Sequence, residues 1–243
     1  LELSNRLREI AALVPRGKIV ADIGTDHALL PVYLIERGIT NKVIATDINR
    51  GPFESARQAV KAKGLQDMID VRRGNGLDVL FPGEVQAVII AGMGGNTIRQ
   101  VLADCPAEVG LFERLILQPM NDACDLRRWL LENGWCLIDE KLVLEADRLY
   151  VIIVAEPCAG ITPCESKPAF PYEILPEDLL LEIGPCLILK NDPNLSLLLR
   201  KLLHDYMVIL EGLAKSQKTE NKAKAQSVEN KAAAIREVLG KWL

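Results

Sequence analysis

Aromatic residues are scarce: Phe, Trp and Tyr make up 5% of the 243 residues. The interior must therefore be built mainly from Leu, Ile, Val and Ala. Histidine is nearly absent, with only His27 and His204, and the six cysteines (105, 124, 136, 158, 164 and 186) contain no CxxC pair. We therefore expect no structural zinc site and no other metal. We expect these cysteines to be reduced, mostly buried thiols of a cytosolic protein. No apolar run approaches the ~18 residues needed to span a bilayer, and the opening residues lack a secretory leader pattern. The opening at Leu1 leads us to expect that a few native residues precede it. The dinucleotide fingerprint GxGxxG is missing as well, which argues against a pyrophosphate ligand that needs several bare backbone N–H groups.

What is present is a hydrophobic fraction of 49% and a charged fraction of 26%, ordinary for a folded domain with an ample core. The net charge of -4 is unevenly spread. From Asn194 onward Lys and Arg outnumber Asp and Glu by about four, which leaves the rest near -8. A basic tail on an acidic body suits RNA binding, and a solvated helical surface explains it equally well.

From Lys18 to about Glu156 short apolar runs alternate with helix-like stretches. Strands are expected at Lys18–Ile23, Lys42–Asp47, Ile69–Arg72, Val85–Ala91 and Arg114–Gln118. Helices are expected at Leu3–Leu13, Ala28–Arg37, Pro52–Lys63, Asn96–Ala103 and Asp122–Asn133. Continuously apolar strands belong to a parallel sheet covered on both faces, and the alternation implies right-handed crossovers. Trp135–Leu144 and Leu149–Ala155 differ, because the link Glu145–Arg148 is too short for a crossover helix and demands an antiparallel hairpin. Parallel strands closed by one antiparallel strand is the chain order of Rossmann-like methyltransferases; simple dehydrogenase domains lack the reversed strand.

Residues 1–157 thus read as an α/β cofactor-binding domain, and 158–193 as a Pro- and Cys-rich linker that packs back on the core, with a short helix at Pro176–Glu182. Residues 194–243 read as an antiparallel, coiled-coil helical hairpin. Its stripe runs Leu195, Leu198, Leu199, Leu202, Leu203, Tyr206, Ile209, Leu210, Leu213, and resumes at Val228, Ala232, Ile235, Val238. Asn194 or Ser196 can cap its start.

Chemistry-bearing residues gather at strand ends, where open α/β sheets bind ligands. Asp22-Ile-Gly24-Thr25-Asp26-His27 follows the first strand; its single glycine suits a ligand with an amino-acid tail and no phosphates. Asp47 ends the second strand at the spacing where a carboxylate accepts both ribose hydroxyls, with Ile48 beside it. Asn75-Gly76-Leu77 follows the third strand, where it can flank an adenine ring or simply form a turn. Gly92-Met93-Gly94-Gly95 follows the fourth, where glycines admit close backbone approach or tight helix packing. Gln118 and Pro119 end the fifth strand and can line the same crevice.

Taken together, Asp22-Ile-Gly-Thr-Asp-His-Ala-Leu-Leu-Pro31, Ala-Thr-Asp47, Gly-Asn-Gly-Leu77, Ala-Gly-Met-Gly-Gly95 and Leu-Gln-Pro119 resemble the bacterial tRNA (adenine-22-N1)-methyltransferases. The resemblance covers the whole chain and implies methyl transfer from S-adenosyl-L-methionine to an adenine N1 in the D-arm region of tRNA. It also implies that Asp22, Gly24, Asp47, Asn75 and the Gly92–Gly95 loop bind the cofactor.

Adenine N1 already carries a free lone pair at neutral pH, so in-line positioning should dominate catalysis. N1 lies on the Watson–Crick edge, so the base must be unpaired and exposed. The Asp/Asn-Pro-Pro-Tyr motif of many amino-group methyltransferases is replaced here by Gly-Met-Gly-Gly. A carboxylate role therefore moves elsewhere, and Asp26 and His27 are the candidates; a helix-capping loop histidine is the plainer reading of His27. Arg6 and Arg8, on the first helix, are candidates for holding phosphates, as are basic residues along the hairpin. Two other readings stay open: a methyltransferase of a protein or small molecule, and a non-catalytic cofactor- or RNA-binding adaptor. We expect a cytoplasmic protein, with monomer and homodimer both open.

Overall fold

The computed structural model describes residues 2–158, 175–215 and 219–242, which form two units, 1–163 and 164–243. The first opens with α1 (Asn5–Leu13), β1 (Val20–Ile23), α2 (Leu29–Glu36), β2 (Val43–Asp47), α3 (Arg50–Ala62) and β3 (Ile69–Arg73). It continues through β4 (Ala87–Met93), α4 (Gly95–Ala103), α5 (Pro106–Val109), β5 (Arg114–Pro119), α6 (Ala123–Glu132), β6 (Trp135–Glu145) and β7 (Arg148–Pro157). The short helix α5 was not expected. Ser4 caps α1, its hydroxyl accepting the Leu7 N–H, so the helix starts after Leu3.

The strands form one sheet in the order β3-β2-β1-β4-β5-β7-β6. β1 to β5 pair in parallel; β7 is antiparallel to both β5 and β6, so it alone runs against the rest. The order reverses at β1, whose neighbours are β2 and β4, and this opens a crevice at the carboxyl ends. Successive strand residues point to opposite faces, and both faces are buried. Val20, Val43, Ala45, Ile89 and Ile116 pack with residues of α1, α2 and α3 on one side. Ala21, Ile23, Ile44, Val88, Ile90 and Leu117 pack with α4, α5 and α6 on the other. Each fully buried aliphatic side chain contributes roughly 1.5–3 kcal/mol, which explains why so few aromatics suffice.

One expectation is corrected. Cys136 and Cys158 form a disulfide, so the cysteines are not all free thiols. In the β6–β7 ladder Cys136 faces Glu156, which puts Cys158, two residues on, diagonally across the same face with the Cα atoms 5.2 Å apart. Cys105, Cys124 and Cys186 are not in disulfides.

Residues 159–174 of the expected linker lie outside the described residues. The second unit contains α7 (Glu177–Ile183), α8 (Pro185–Leu189), α9 (Leu195–Ala214) and α10 (Thr219–Trp242). Most of the polar stretch between the two apolar stripes is thus helical. The two long helices fold back on each other: Arg236 of α10 reaches the Met207 sulfur of α9. Leu195, Leu199, Tyr206, Ala232, Ile235 and Val238 form the buried part of the stripe, whereas Ile209 is 41% exposed. Lys231 of α10 is paired with Asp178 at 2.8 Å and Glu182 at 3.0 Å, both on α7.

Candidate cofactor crevice

Five strand-end loops gather around the reversal point, and hydrogen bonds join them in two groups. The N–H groups of Gly24 and Thr25 both donate to the Thr46 carbonyl at 2.8 Å, seating the first loop on the end of β2. The Gly74 N–H donates to the Asp47 carbonyl at 3.1 Å, joining the third loop to the second. The Gly95 N–H donates to both the backbone and side-chain oxygens of Asn121, at 3.1 and 3.2 Å, joining the fourth loop to the fifth.

Asp22 is buried, and burial pushes its carboxyl up from 3.8 to about 6, with the Thr25 hydroxyl pulling it partly back. A carboxylate held in so dry a place favours a cationic group beside it, such as the ammonium of an amino-acid tail. Asp47 is 9% exposed; one carboxylate oxygen accepts the Asn49 N–H at 2.7 Å, leaving the other for a ligand hydroxyl. Ile48, next in the chain, is an aliphatic side chain left 54% exposed. Asn75 is exposed, Gly76 packs against Val101, and Leu77 is buried.

The fourth loop owes its shape to its glycines. Gly92 lies at φ +79°, and no atom stands within 4 Å of where a Cβ would be, so the crevice is open beside it. At Gly95 a Cβ would lie 2.6 Å from the Asp122 carbonyl oxygen, so this glycine serves packing between the loops. At Gly24 a Cβ would meet the Met93 methyl at 2.3 Å. A glycine-lined crevice with a buried carboxylate at one strand end and a hydroxyl acceptor at the next fits an amino-acid-tailed nucleoside.

Asp26 and His27 are both exposed. The His27 ring contacts the Ser55 hydroxyl at 2.6 Å and Asp26 at 3.3 Å, and it does not cap α2, whose N-terminal cap position belongs to Ala28. Arg8 is exposed, but Arg6 is engaged: it donates to the Gln118 side-chain oxygen, approaches Glu145 at 3.9 Å and lies 5.3 Å over the Tyr150 ring. Gln118 and Pro119 are buried.

Several residues of the site escaped the sequence reading. Asn121 and Asp122 had a local signal, a pair of turn formers directly after a strand. Ser55, Glu145 and Tyr150 had none, because each meets its partner only through long-range folding. Among the described residues no cluster of side chains is arranged to hold a metal ion. No described helix is long and apolar enough to cross a membrane.

Residues 3–153 match the model of a family described as a methyltransferase domain. A curated tRNA (adenine(22)-N(1))-methyltransferase of Bacillus subtilis is 43% identical over 156 residues, spanning 64% of this chain and 66% of that protein. The crystal structure of the B. subtilis M1A22 tRNA methyltransferase superposes with a TM-score of 0.84 at 33% identity, over 98% of this chain and 99% of the other. A Streptococcus pneumoniae putative tRNA (m1A22) methyltransferase in complex with S-adenosyl-L-methionine gives 0.80 at 33% identity, over 98% and 100%. The chain belongs to the bacterial tRNA (adenine-22-N1)-methyltransferase family, S-adenosylmethionine-dependent enzymes with a Rossmann-like fold.

Proposed function

We propose that this chain methylates N1 of adenine 22, in the D-arm region of tRNA, and does so in the cytoplasm. The observation that carries the reading is the match, over nearly the full length of both chains, to the B. subtilis M1A22 enzyme. When bound, S-adenosylmethionine supplies an electrophilic sulfonium methyl and leaves as a neutral thioether.

Asp22 holds the ammonium of the amino-acid tail, and Gly24 and Thr25 present the first loop to it. Asp47 accepts the ribose hydroxyls. Ile48, Asn75, Gly76 and Leu77 surround the adenine end, and Gly92, Met93 and Gly94 border the reacting centre. Arg8 binds backbone phosphate, and Gly95 and Pro119 shape the acceptor side. Asp26 and His27, exposed at the mouth of the first loop, are the polar groups available to the incoming base. N1 needs no base to create its lone pair, so alignment carries most of the rate. Replacing either residue with alanine should then lower kcat modestly, by about 10- to 100-fold, well short of the loss expected from removing an obligatory base.

The test is incubation of the protein with labelled S-adenosylmethionine and unmodified tRNA, followed by mapping of the methylated nucleoside. N1-methyladenosine at position 22, absent when the tRNA carries guanine there, is the expected result. Cofactor binding with label on no tRNA overturns the proposed acceptor and leaves the family membership standing.

A further inference from the structure

We propose that Gln118 is a positioning residue for methyl transfer, and that Arg6 locks its carboxamide in place. The inference rests on the methyltransferase reading above. Strand β4 carries a bulge: Ala91 pairs with Gln118 and Met93 with Pro119, so Gly92 is the extra residue between them. The bulge takes the Gly92 N–H out of the ladder, and the side-chain oxygen of Gln118 accepts it at 3.1 Å. The same oxygen accepts an Arg6 guanidinium N–H, while the Gln118 nitrogen donates to the Pro119 carbonyl at 2.9 Å and sits 3.7 Å from the Met120 sulfur. Gln118 is fully buried, so the carboxamide itself is not presented to a ligand.

This one group therefore ties together the ends of β4 and β5 and the first helix. Arg6 is fixed in turn, because Glu145 accepts its backbone N–H at 2.9 Å and its guanidinium lies over Tyr150. A charged donor strengthens the bond to Gln118. What the bulge places is the crevice wall. Gly92 faces open space, the Met93 methyl stands where a Gly24 side chain would begin, and the Met93 carbonyl accepts the N–H of Met120, which is 45% exposed. Gly92 is itself exposed, so water can replace the missing acceptor. Removing the carboxamide should therefore loosen the bulge without unfolding the sheet, and misplacement on the scale of an ångström costs about 10²-fold in rate.

Q118E is the informative variant. One carboxylate oxygen can accept from both Gly92 and Arg6, and the other, when protonated, can donate to Pro119. Q118L removes every one of these bonds, and R6M removes only the Arg6 donor. Kinetics on tRNA, the dissociation constant of S-adenosylhomocysteine and amide exchange at Gly92 would be measured on all three. Q118L should lower kcat about 10²-fold, change cofactor-product affinity little, and speed Gly92 exchange. Q118E should recover most of that kcat and protection, and R6M should fall between Q118L and the wild type. Equal losses in Q118E and Q118L, or unchanged Gly92 exchange in Q118L and R6M, overturn the proposal. Should Q118L fail to fold, R6M and Q118E still decide, since R6M must speed exchange and Q118E must not. If the wild type methylates no tRNA, the acceptor reading fails instead, and Gly92 exchange still judges the role of Gln118.

Discussion

Asp22 shows how one residue carries a cost in the fold alongside its proposed role in the cofactor site. Its folded carboxyl, near 6 against an ordinary 3.8, binds a proton more tightly than in the unfolded chain. The ligand-free protein therefore loses stability as pH rises through that window, by about 3 kcal/mol in all. D22N should abolish cofactor binding yet melt higher than the wild type above pH 7, with the difference shrinking toward pH 4; a pH-independent difference in melting would refute this. Cofactor-product affinity in the wild type should rise with pH up to about 6 and level off above about 7. The glycines of the fourth loop divide in the same way. G95A drives a methyl into the Asn121 and Asp122 carbonyls and should destabilise the fold, whereas G92A enters open space and should weaken ligand binding more than stability. Its left-handed backbone makes G92A cost roughly 1 kcal/mol in the fold. Calorimetry of folding and binding on both variants separates the two roles.

Between elements, two links outweigh the surface ion pairs. Arg127 on α6 and Glu140 on β6 are 1% and 0% exposed and meet at 2.6 Å. Removing one partner leaves a buried charge behind, so R127M should cost about 3–5 kcal/mol, while R127M/E140L should recover much of it. Denaturant titration of the single and double variants gives the answer. The Cys136–Cys158 disulfide closes a loop of 22 residues along the β6–β7 hairpin, a constraint of about 3 kcal/mol on the unfolded chain. C136S should melt below the oxidised wild type and together with the reduced one. Alkylation without reductant should label two cysteines fewer than alkylation after reduction.

On the scale of the molecule, charge is divided between an acidic first unit and a basic hairpin. Lys231 is occupied by Asp178 and Glu182, but Lys201, Lys215, Lys222 and Lys224 are exposed. Changing these four to alanine should weaken tRNA binding by tenfold or more at moderate salt. It should also flatten the dependence of log K on log salt by about one for each phosphate that is no longer neutralised. Affinity for S-adenosylhomocysteine should stay the same, and an unchanged salt slope would exclude the hairpin lysines from the RNA interface. How much of all this was legible follows from the range of the interactions. Unbroken apolar strands, the four-residue link at 145–148, the glycines at strand ends and the Asp22–Asp47 spacing are local signals. By themselves they determined the sheet and its reversed strand, and they marked the strand ends where we propose that the cofactor binds. The Cys136–Cys158 bond, the Arg127–Glu140 pair and the Arg6–Gln118–Gly92 bridge join residues 13 to 112 positions apart. No periodicity encodes such partners. Only the tertiary structure decided them, because each depends on strand register and on which side chains the folded chain takes out of water.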